Sequence, residues 1–562
     1  MYGWTGKILY IDLTTNEMET KHLDESFLYK YLGGRGVNSK ILYDAINEIG
    51  DPFSANNPII ISAGPSTGTS IPGSNRFTIT SKSPLTGLLG DSNSGAPFAS
   101  EIKKAGYDTI VIKGKSKFPC YIYLEDGNIQ IRKADHIWGE TTFKAEKIIK
   151  QELKDSDVKV ISIGPAGENL VKFACAIGDK SRASGRTGIG AVMGSKNLKA
   201  IAIKGHGKVD VAYSEQLDKL CKQIIDILKS DKEWYRIFSN YGALGLVISF
   251  NKMGVMPVRN FQTGVIDIRG IQPELFMQKY HAGYESCLYC PIHCGHYYHI
   301  KDGKYAGTTG YVRAFATPAD LGVRIGTTQY DAILKTQSLV NELGLDTIST
   351  GGVISWAMEC YEEGILTLAD TGGLKLNWGN NEAVHKLIKM IAFRKRFGDL
   401  LAEGSFRAAK EIGKGSEEYV MHTKKMEMTD MDPRGQKGWG LGYATSSRGN
   451  DHMRAYPAME IVNAPQARKI ANYPDVSRFA HEYKGKLVAW HENLRAVLDS
   501  LEICKFLSRT ALISPKIFCE ILRVITGMEI SPEELLKTGE RIVNIERMLN
   551  NKLGATRRDD SL

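Results

Sequence analysis

The sequence lacks the long apolar runs that cross membranes, and it has few cysteines for its length. No run of about 18 apolar residues occurs. The first ten residues have no basic region, apolar stretch or cleavage site of a signal peptide. Nine cysteines in 562 residues are too few for a disulfide framework. We therefore expect a cytoplasmic protein with reduced thiols and no membrane span.

An excess of charge of one sign is also missing. The chain has 72 basic and 63 acidic residues, which gives a net charge of +9. Basic clusters such as Arg394–Arg396 have acids nearby, and no basic stripe is interleaved with aromatic residues as a nucleic-acid surface would require. This pattern predicts no nucleic-acid partner. A mildly basic face could instead help to dock an acidic electron carrier.

The glycine-rich loops do not form a dinucleotide-binding motif, because no G-x-G-x-x-G follows a strand with an acid downstream. Glycines allow a ligand to approach the backbone closely, and loop amides with arginines suit phosphates. The loops indicate a large phosphorylated ligand, with ordinary turns as the alternative. They read G-G-R-G, I-P-G-S-N-R-F-T-I-T, G-D-S-N-S-G-A and D-K-S-R-A-S-G-R-T-G-I-G-A-V-M-G-S-K-N-L-K-A.

Two textures divide the chain near residue 209. The first part has short apolar or alternating runs separated by turn residues, which predicts strands. Those runs are K-I-L-Y-I-D-L, P-I-I-I-S-A-G, F-T-I-T-S, Y-D-T-I-V-I-K-G, C-Y-I-Y-L, V-K-V-I-S-I-G and K-A-I-A-I-K-G. From residue 210 apolar residues recur every three or four positions, beginning with a helix that we expect Ser214 to cap. The fold class is therefore α+β.

Three cysteines lie close together in C-L-Y-C-P-I-H-C, at 287, 290 and 294. Thiolates at this spacing can bind one metal centre, and four make a [4Fe-4S] or a zinc site. Zinc sites usually contain two close pairs, whereas the nearest plausible fourth ligand here is the distant Cys504. The spacing favours an iron–sulfur cluster, with zinc and buried structural thiols as alternatives.

Several long motifs, in one order along essentially the whole chain, resemble the aldehyde ferredoxin oxidoreductases, a family of tungsten enzymes with a bis-pterin cofactor. The motifs are Y-G-W-T-G-K-I-L-Y-I-D-L, G-G-R-G-V-N-S-K, A-G-P-S-T-G-T, N-R-F-T-I-T-S-K-S-P-L-T-G, R-A-S-G-R-T-G-I-G-A-V-M-G-S-K-N-L-K-A, C-L-Y-C-P-I-H-C-G, N-E-L-G-L-D-T-I-S-T-G, A-T-S-S-R-G-N-D-H-M-R-A-Y and D-S-L-E-I-C-K-F.

The resemblance implies a β-rich domain that cradles the cofactor, at 1–209, followed by two mainly helical domains at 210–420 and 421–562. It implies that Cys287, Cys290, Cys294 and Cys504 bind a [4Fe-4S] cluster. It further implies Mg²⁺ between the pterin phosphates and two pterin-binding motifs at 341–346 and 499–504. The implied cofactor-binding residues are Arg76, Asn93, Gly95, Arg182, Ala183, Asn341, Gly344, Leu345, Asp346, Asp499 and Ile503.

The chain departs from the family pattern in three places. Asn341 replaces a typical Asp and Glu502 a typical Gly in the two pterin motifs, and Glu502 puts the local loop geometry in doubt. Val312 stands where the family has a proposed acid/base Glu, and valine cannot move protons. His452 matches the other proposed active-site group. Tyr311 and Arg313 flank the missing acid and are further catalytic candidates, although they could also face elsewhere.

The resemblance implies oxidation of an aldehyde to a carboxylic acid, with His452 binding the oxyanion or relaying a proton. Electrons would leave through the cluster to ferredoxin or a small iron–sulfur subunit. The alternative is another low-potential reaction on the same scaffold, such as reduction of an aromatic-ring thioester; a non-catalytic electron-transfer subunit is a third possibility. Tungsten and molybdenum take the same ligands, and both homodimers and hetero-oligomers occur in the family.

The cysteine pattern predicts the metal content of the protein. After anaerobic purification, elemental analysis should find about four irons per chain, together with about one tungsten or molybdenum that a pterin cofactor would carry. Zinc alone, at about one per chain, would contradict the redox interpretation and leave a structural site.

Overall fold

The computed structural model describes residues 1–461, 468–469, 471–508 and 514–562. A β-rich N-terminal part is followed by a mainly helical remainder, so the α+β class is confirmed. Within the described ranges, no helix is both long enough and apolar enough to cross a bilayer.

The N-terminal part contains two six-stranded sheets, and all seven runs that the sequence predicts as strands are confirmed. The strands are β1 (Lys7–Asp12), β2 (Glu17–His22), β3 (Ile59–Ser62), β4 (Arg76–Lys82), β5 (Leu89–Gly95), β6 (Thr109–Lys113), β7 (Cys120–Glu125), β8 (Asn128–Lys133), β9 (Lys159–Ile163), β10 (Ala176–Gly178), β11 (Arg182–Ser184) and β12 (Leu198–Lys204). The sheet orders are β2-β1-β6-β3-β4-β5 and β11-β10-β9-β12-β7-β8. The pairs β1/β6 and β7/β12 are parallel and the others antiparallel.

Two helices, α3 and α6, lie between these sheets. The helices of this part are α1 (Glu25–Tyr31), α2 (Gly34–Ala45), α3 (Phe98–Lys104), α4 (Thr142–Glu152), α5 (Pro165–Glu168) and α6 (Ile189–Ser195). Because side chains alternate along a strand, Leu9 of β1 faces the core that both sheets share, whereas Ile8 packs with α2. In the second sheet Ile201 of β12 faces the shared core, whereas Ala200 packs with α4.

The remainder is mainly helical and carries two small sheets. Its helices are α7 (Ser214–Ser230), α8 (Lys232–Tyr241), α9 (Leu246–Met253), α10 (Val258–Phe261), α11 (Pro273–Lys279), α12 (Ala316–Asp320), α13 (Tyr330–Leu343), α14 (Thr347–Glu362), α15 (Asn381–Ala392), α16 (Phe397–Leu401), α17 (Ser405–Ile412), α18 (Lys437–Thr445), α19 (Lys484–Leu501), α20 (Pro515–Thr526) and α21 (Pro532–Lys552). Its strands are β13 (His281–Glu285), β14 (Gly295–His299), β15 (Thr309–Val312), β16 (His422–Thr423) and β17 (Met426–Glu427).

The two largest hydrophobic cores among the described residues of the helical remainder lie around different helices. The larger one is built around α13 and α14 and includes Val312 of β15 and Tyr456. The smaller one packs α7 against α19 and α20, so a helix from the start of the remainder lies among the C-terminal helices. The domain boundaries at 209 and 420 stay a prediction.

The start of α7 corrects one expectation. Ser214 is the first residue of the helix rather than its cap, and the preceding Tyr213 makes no side-chain capping bond. The amides of Ala212 and Tyr213 donate to the carbonyl oxygens of Ile525 and Val524 at 2.9 and 3.0 Å. These bonds to α20 fix the point at which the chain becomes helical, so the helix begins without a side-chain cap.

Buried ion pairs connect the N-terminal part to the last helix. Nε and Nη2 of Arg35 on α2 donate to the two carboxylate oxygens of Glu546 on α21 at 2.7 and 2.8 Å. Nη1 of Arg35 lies 3.4 Å from the carboxylate of Asp499 on α19. Burial alone would raise the pKa of Glu546, but the guanidinium groups of Arg35 and Arg454 outweigh burial and lower it to about 2.

This lowered pKa predicts acid sensitivity. The pKa of an unfolded Glu is about 4.3, so the stabilisation from Glu546 is present above that pH and is lost as the pH falls toward 2. E546Q should be destabilised at pH 7 by about 3–5 kcal/mol, because Arg35 loses a buried partner. Its thermal midpoint should also depend less on pH below about 4.3.

Scanning calorimetry of the wild type and E546Q from pH 7 down to acid checks this prediction. E540Q, an exposed position on the same helix, is the matched control and should follow the wild type. Equal midpoints for all three proteins would contradict the prediction.

Candidate functional site

The three clustered cysteines lie on the loop that joins β13 to β14. The amide of Cys290 donates to the carbonyl oxygen of Cys287 at 3.0 Å, and the amide of Cys294 donates to Ile292 at 2.9 Å. Gly242, with φ near +55°, lies so close that a Cβ there would collide with the carbonyl group of Cys294. The loop is therefore tightly turned and packed against the segment that follows α8.

Cys504 reaches this loop from the end of α19. Its amide donates to the carbonyl oxygen of Gly73 at 2.9 Å, which joins it to the N-terminal part. Burial raises the pKa of the Cys290 and Cys294 thiols, and neighbouring Cys287 and Cys504 raise both further, that of Cys294 to about 12. The structure thus brings the four predicted cluster ligands into one group.

A cavity with two lobes lies beside this cysteine group. The lobes share the wall residues Ala314, Ala316, Ile348, His452, Met453 and Lys505. The apolar lobe measures about 240 Å³, and its further walls include Phe250, Phe315, Tyr456, Arg76 and Cys504. The polar lobe measures about 210 Å³, and its further walls include Asp91, Arg186, Arg448, Asp451 and Arg454.

The structure brings about half of the predicted site residues to this cavity. Those in the apolar lobe are Arg76, Arg313, His452 and Cys504. Those in the polar lobe are Asn93, Ala183, Asp346, Asp499 and again His452. The residues that do not line it are Gly95, Arg182, Cys287, Cys290, Cys294, Tyr311, Asn341, Gly344, Leu345 and Ile503.

The edge strands β5 and β11 of the two large sheets carry four of the predicted cofactor-binding residues: Asn93, Gly95, Arg182 and Ala183. A Cβ at Gly95 would lie 2.8 Å from Nη1 of Arg76, so a larger residue there would displace the end of the arginine side chain. Nε of Arg182 and Oγ of Ser184 are buried and have no hydrogen-bond partner within the described residues. Buried donors normally have partners, so these two atoms fit a polar ligand beside Ala183.

The first helical motif holds Asp346 at the start of α14. Gly344 ends α13 with φ near +75°, and Leu345 forms a β-bridge to Ala174. The carboxylate of Asp346 then accepts bonds from the amides of Ser349 and Arg186, both at 2.8 Å. In this motif the backbone of Gly344 and Leu345 positions Asp346.

Asn341 and Ile503, which belong to the two predicted pterin motifs, lie outside the cavity. The side-chain amide of Asn341 donates to the carbonyl oxygen of Lys180 at 3.4 Å, just before β11. Ile503 is buried in the core between α19 and α20. Neither residue lines the cavity.

Several charged wall residues were not predicted from the sequence, and Arg186 and Lys505 are two of them. Arg186 donates to Asp346 and to the carbonyl oxygens of Glu427 and Asn450, at 3.1, 2.6 and 2.9 Å. Nζ of Lys505 lies 2.6 Å from Asp499, and burial lowers its pKa to about 8. Arg186 lies within a quoted glycine-rich motif and Lys505 follows Cys504, so each had a signal in its neighbourhood.

His452 lines both lobes and is anchored through one ring nitrogen. Its Nδ1 lies 2.7 Å from Oγ1 of Thr429, and that hydroxyl donates to Asp430 at 3.0 Å. Because the hydroxyl proton is directed to Asp430, Oγ1 accepts from Nδ1–H of the histidine. Nε2 then carries the free lone pair in the neutral ring and makes no hydrogen bond within the described residues.

The three residues considered at the end of β15 and directly after it have different surroundings. Val312 is buried in the larger helical core, and Tyr311 packs on Tyr297 with ring centroids 5.2 Å apart. Arg313 lines the apolar lobe, donates to Ser181 at 2.9 Å and pairs with Glu285. Arg313 is thus the only one of the three that the structure places at the cavity.

Replacing Cys504 predicts a specific loss of iron. C504A should hold at most three irons per cluster site or none, because one of four ligands is gone. C519A is the matched control, since this partly buried thiol lies on α20 outside the cysteine group. Iron analysis of both variants checks the prediction, and equal iron in both would contradict it.

Comparison with protein families covers nearly the whole chain. The profile for the N-terminal domain of aldehyde ferredoxin oxidoreductase matches residues 8–205, and the profile for domains 2 and 3 matches residues 219–562. Among solved structures, the active-site complex BamBC of benzoyl coenzyme A reductase with 1,5-dienoyl-CoA superposes with a TM-score of 0.86 at 28% identity. That alignment covers 100% of this chain and 91% of the other.

Curated relatives agree with the profiles. The tungsten-containing aldehyde ferredoxin oxidoreductase of Pyrococcus furiosus is 40% identical, over 100% of this chain and 91% of that protein. The enzyme of the same name from Thermococcus kodakarensis is 39% identical, over 99% and 90%. A WOR-like subunit of an aliphatic sulfonate oxidoreductase from P. furiosus is 32% identical, over 98% and 86%. The chain is therefore an oxidoreductase that belongs to the aldehyde ferredoxin oxidoreductase family.

Proposed function

We propose that the protein oxidises an aldehyde to a carboxylic acid at a tungsten pterin centre and passes the electrons through a [4Fe-4S] cluster to ferredoxin. One observation carries the proposal: His452 and Cys504 line the same apolar lobe. A substrate in that lobe would lie next to a side chain that handles protons and next to a cluster ligand.

The cysteine group supports a cluster rather than a zinc ion. Within the described ranges, no three His, Cys, Asp or Glu side chains are arranged around a position for a single ion. Cys287 and Cys504 still lie close enough to the other two cysteines to add to the effect of burial and raise the pKa of the Cys290 and Cys294 thiols. Neighbouring thiols that do not converge on one ion suit a cluster in which each sulfur binds a different iron.

The polar lobe supports a bis-pterin cofactor with Mg²⁺ between its phosphates. When bound, the tungsten pterin supplies two-electron redox chemistry, and its own sulfurs provide soft ligands for the metal. The buried Nε atoms of Arg182 and Arg454 have no hydrogen-bond partner among the described residues and are suited to phosphate or pterin acceptors. Molybdenum would take the same ligands.

His452 is the side chain that we assign to proton transfer. Its Nδ1–H is fixed by Thr429, so Nε2 accepts a proton in the neutral ring and donates one in the charged ring. As a donor it stabilises negative charge that develops on the carbonyl oxygen of the aldehyde. Val312 is buried and apolar, so β15 supplies no second acid/base.

Partners and location are part of the same proposal. The electrons need an acceptor protein, and we assign ferredoxin or a small iron–sulfur subunit, in line with the subunit and complex among the related proteins. We place the protein in the cytoplasm, as a homodimer or hetero-oligomer. We also divide the chain into the three domains expected from the sequence.

A second candidate function is reduction of an aromatic-ring thioester. The observation that favours it is the valine at 312, together with the structural likeness to the benzoyl coenzyme A reductase complex. Anaerobic assays of one preparation with a panel of aldehydes and with aryl-CoA esters separate the two functions. Turnover of the esters alone would replace the first candidate by the second.

Removing the imidazole of His452 predicts a loss of turnover. H452A should lower kcat for aldehyde oxidation by about 10²–10⁴-fold, the usual contribution of a positioned acid/base. T429V should have a smaller effect, because it removes only the acceptor that orients Nδ1–H. The measurement is anaerobic reduction of a viologen dye by aldehyde.

The control is H206A. His206 is an exposed histidine that follows β12, and it pairs with Asp126 in the turn after β7. Iron and tungsten contents are measured for each variant, so that loss of cofactor is separated from loss of catalysis. A fully loaded H452A with the wild-type rate would disprove the role of His452.

A further inference from the structure

Glu502 is a fully buried carboxyl group at the end of α19, between the helical part and the first sheet. Its φ is +61°, in the left-handed region that favours glycine. A Cβ at Gly34 would collide with Oε1 of Glu502, so the neighbouring helix α2 leaves room for this carboxyl group. An ionisable side chain that is buried and has a strained backbone conformation is costly, so its contacts are worth tracing.

The carboxyl group is hydrogen-bonded to the last two strands of the first sheet, β4 and β5. Oε1 accepts from Oγ1 of Thr78 at 2.6 Å, and Oε2 accepts from Nδ2 of Asn93 at 2.5 Å. Thr78 and Asn93 are paired across β4 and β5, and Nδ2 of Asn93 also donates to Oγ1 of Thr78 at 3.0 Å. Glu502, Thr78 and Asn93 therefore form a closed set of hydrogen bonds.

This set determines which way the Asn93 amide points. Both hydrogens of Nδ2 are used by Thr78 and Glu502, so Oδ1 must point the other way. Burial raises the pKa of Glu502 to about 8, yet the carbonyl oxygen of the protonated acid still accepts from Asn93. The amide orientation is thus the same in either protonation state.

The oriented amide in turn holds Arg76. Oδ1 of Asn93 accepts from Nε of Arg76 at 2.5 Å, and the carbonyl oxygen of Asn93 accepts from Nη2 at 2.9 Å. Two bonds from one planar guanidinium fix its position and its plane. A reversed amide would turn Nδ2 toward Nε and set two donors against each other. Arg76 lines the apolar lobe together with Cys504.

We propose that Glu502 is a positioning residue of the redox site, which holds the Arg76 guanidinium beside Cys504 by fixing the Asn93 amide. The proposal rests on the proposed function for the identity of the bound groups. The hydrogen bonds that carry it belong to this chain alone. Because Arg76 and Cys504 line the same lobe, a guanidinium fixed there would place a positive charge near the bound cluster and would influence its reduction.

The variants E502Q and E502L separate this role from simple packing. The carbonyl group of Gln can accept from Asn93 and its amide can donate to Thr78, so E502Q should keep Arg76 in place. Leu has a similar size but no acceptor, so E502L should release the Asn93 amide and displace Arg76. Crystal structures of both variants measure this directly and do not depend on the metal content.

The functional readout is the electron paramagnetic resonance spectrum of the reduced cluster, together with kcat and KM. E502L should change the spectrum and lower kcat by about tenfold, which corresponds to about 1.4 kcal/mol, while KM is retained. E502Q should restore both. In the N93A background E502L should cause no further change, because the residue through which Glu502 acts is already absent.

E492L is the matched control, since Glu492 is a largely buried carboxyl on the same helix that accepts instead from Thr445 at 3.0 Å. Its spectrum should stay like that of the wild type. An unmoved Arg76 in E502L, or equal spectral changes in E492L and E502L, would overturn the proposal. Wild-type protein without iron would instead reject the proposed function, and the position of Arg76 in E502L would still decide the role of Glu502.

Discussion

The carboxylate of Glu546 lies fully buried between the guanidinium groups of Arg35 and Arg454, and this neutralisation of buried charge holds the site together. Removing one partner of such a pair leaves an uncompensated charge and typically costs several kcal/mol. Arg35 belongs to α2, Glu546 to α21, and Arg454 to the loop that carries His452. Three segments that are distant in the sequence, one of which carries His452 of the cavity wall, are therefore fixed relative to one another by their charges.

Much of the N-terminal architecture could be predicted from local sequence. Each of the seven strand-like runs forms a strand. Consecutive apolar residues such as Ile8 and Leu9 face opposite sides of a sheet, so both sides are buried. The position of α3 and α6 between the sheets could not be predicted, because it depends on contacts between segments that are distant in the sequence. The prediction that Ser214 caps α7 was wrong for a related reason. Backbone hydrogen bonds to the distant helix α20 determine where α7 begins.

The candidate site likewise has residues that the sequence predicts and residues that it does not. The close spacing of Cys287, Cys290 and Cys294 is visible in the sequence, whereas Cys504 is only a distant candidate for the fourth ligand, which the family resemblance then supports. Arg186 escaped notice because its partner Asp346 is 160 positions away. Tyr311 shows the converse limit: Arg313, two residues further on, lines the cavity, whereas the Tyr311 ring lies between Tyr297 and the Arg313 guanidinium and does not reach it.

The same long-range pairs govern the order in which the protein is assembled. Arg35 and Glu546 are 511 positions apart, and Asn93 and Glu502 are 409 apart. At ribosomal rates of roughly 5–20 residues per second, Arg35 waits about 25–100 s for its partner. Until α19 and the residues directly after it are synthesised, the cavity lacks the wall that Asp499, Cys504 and Lys505 form. The cavity is therefore complete only when almost the whole chain has been made.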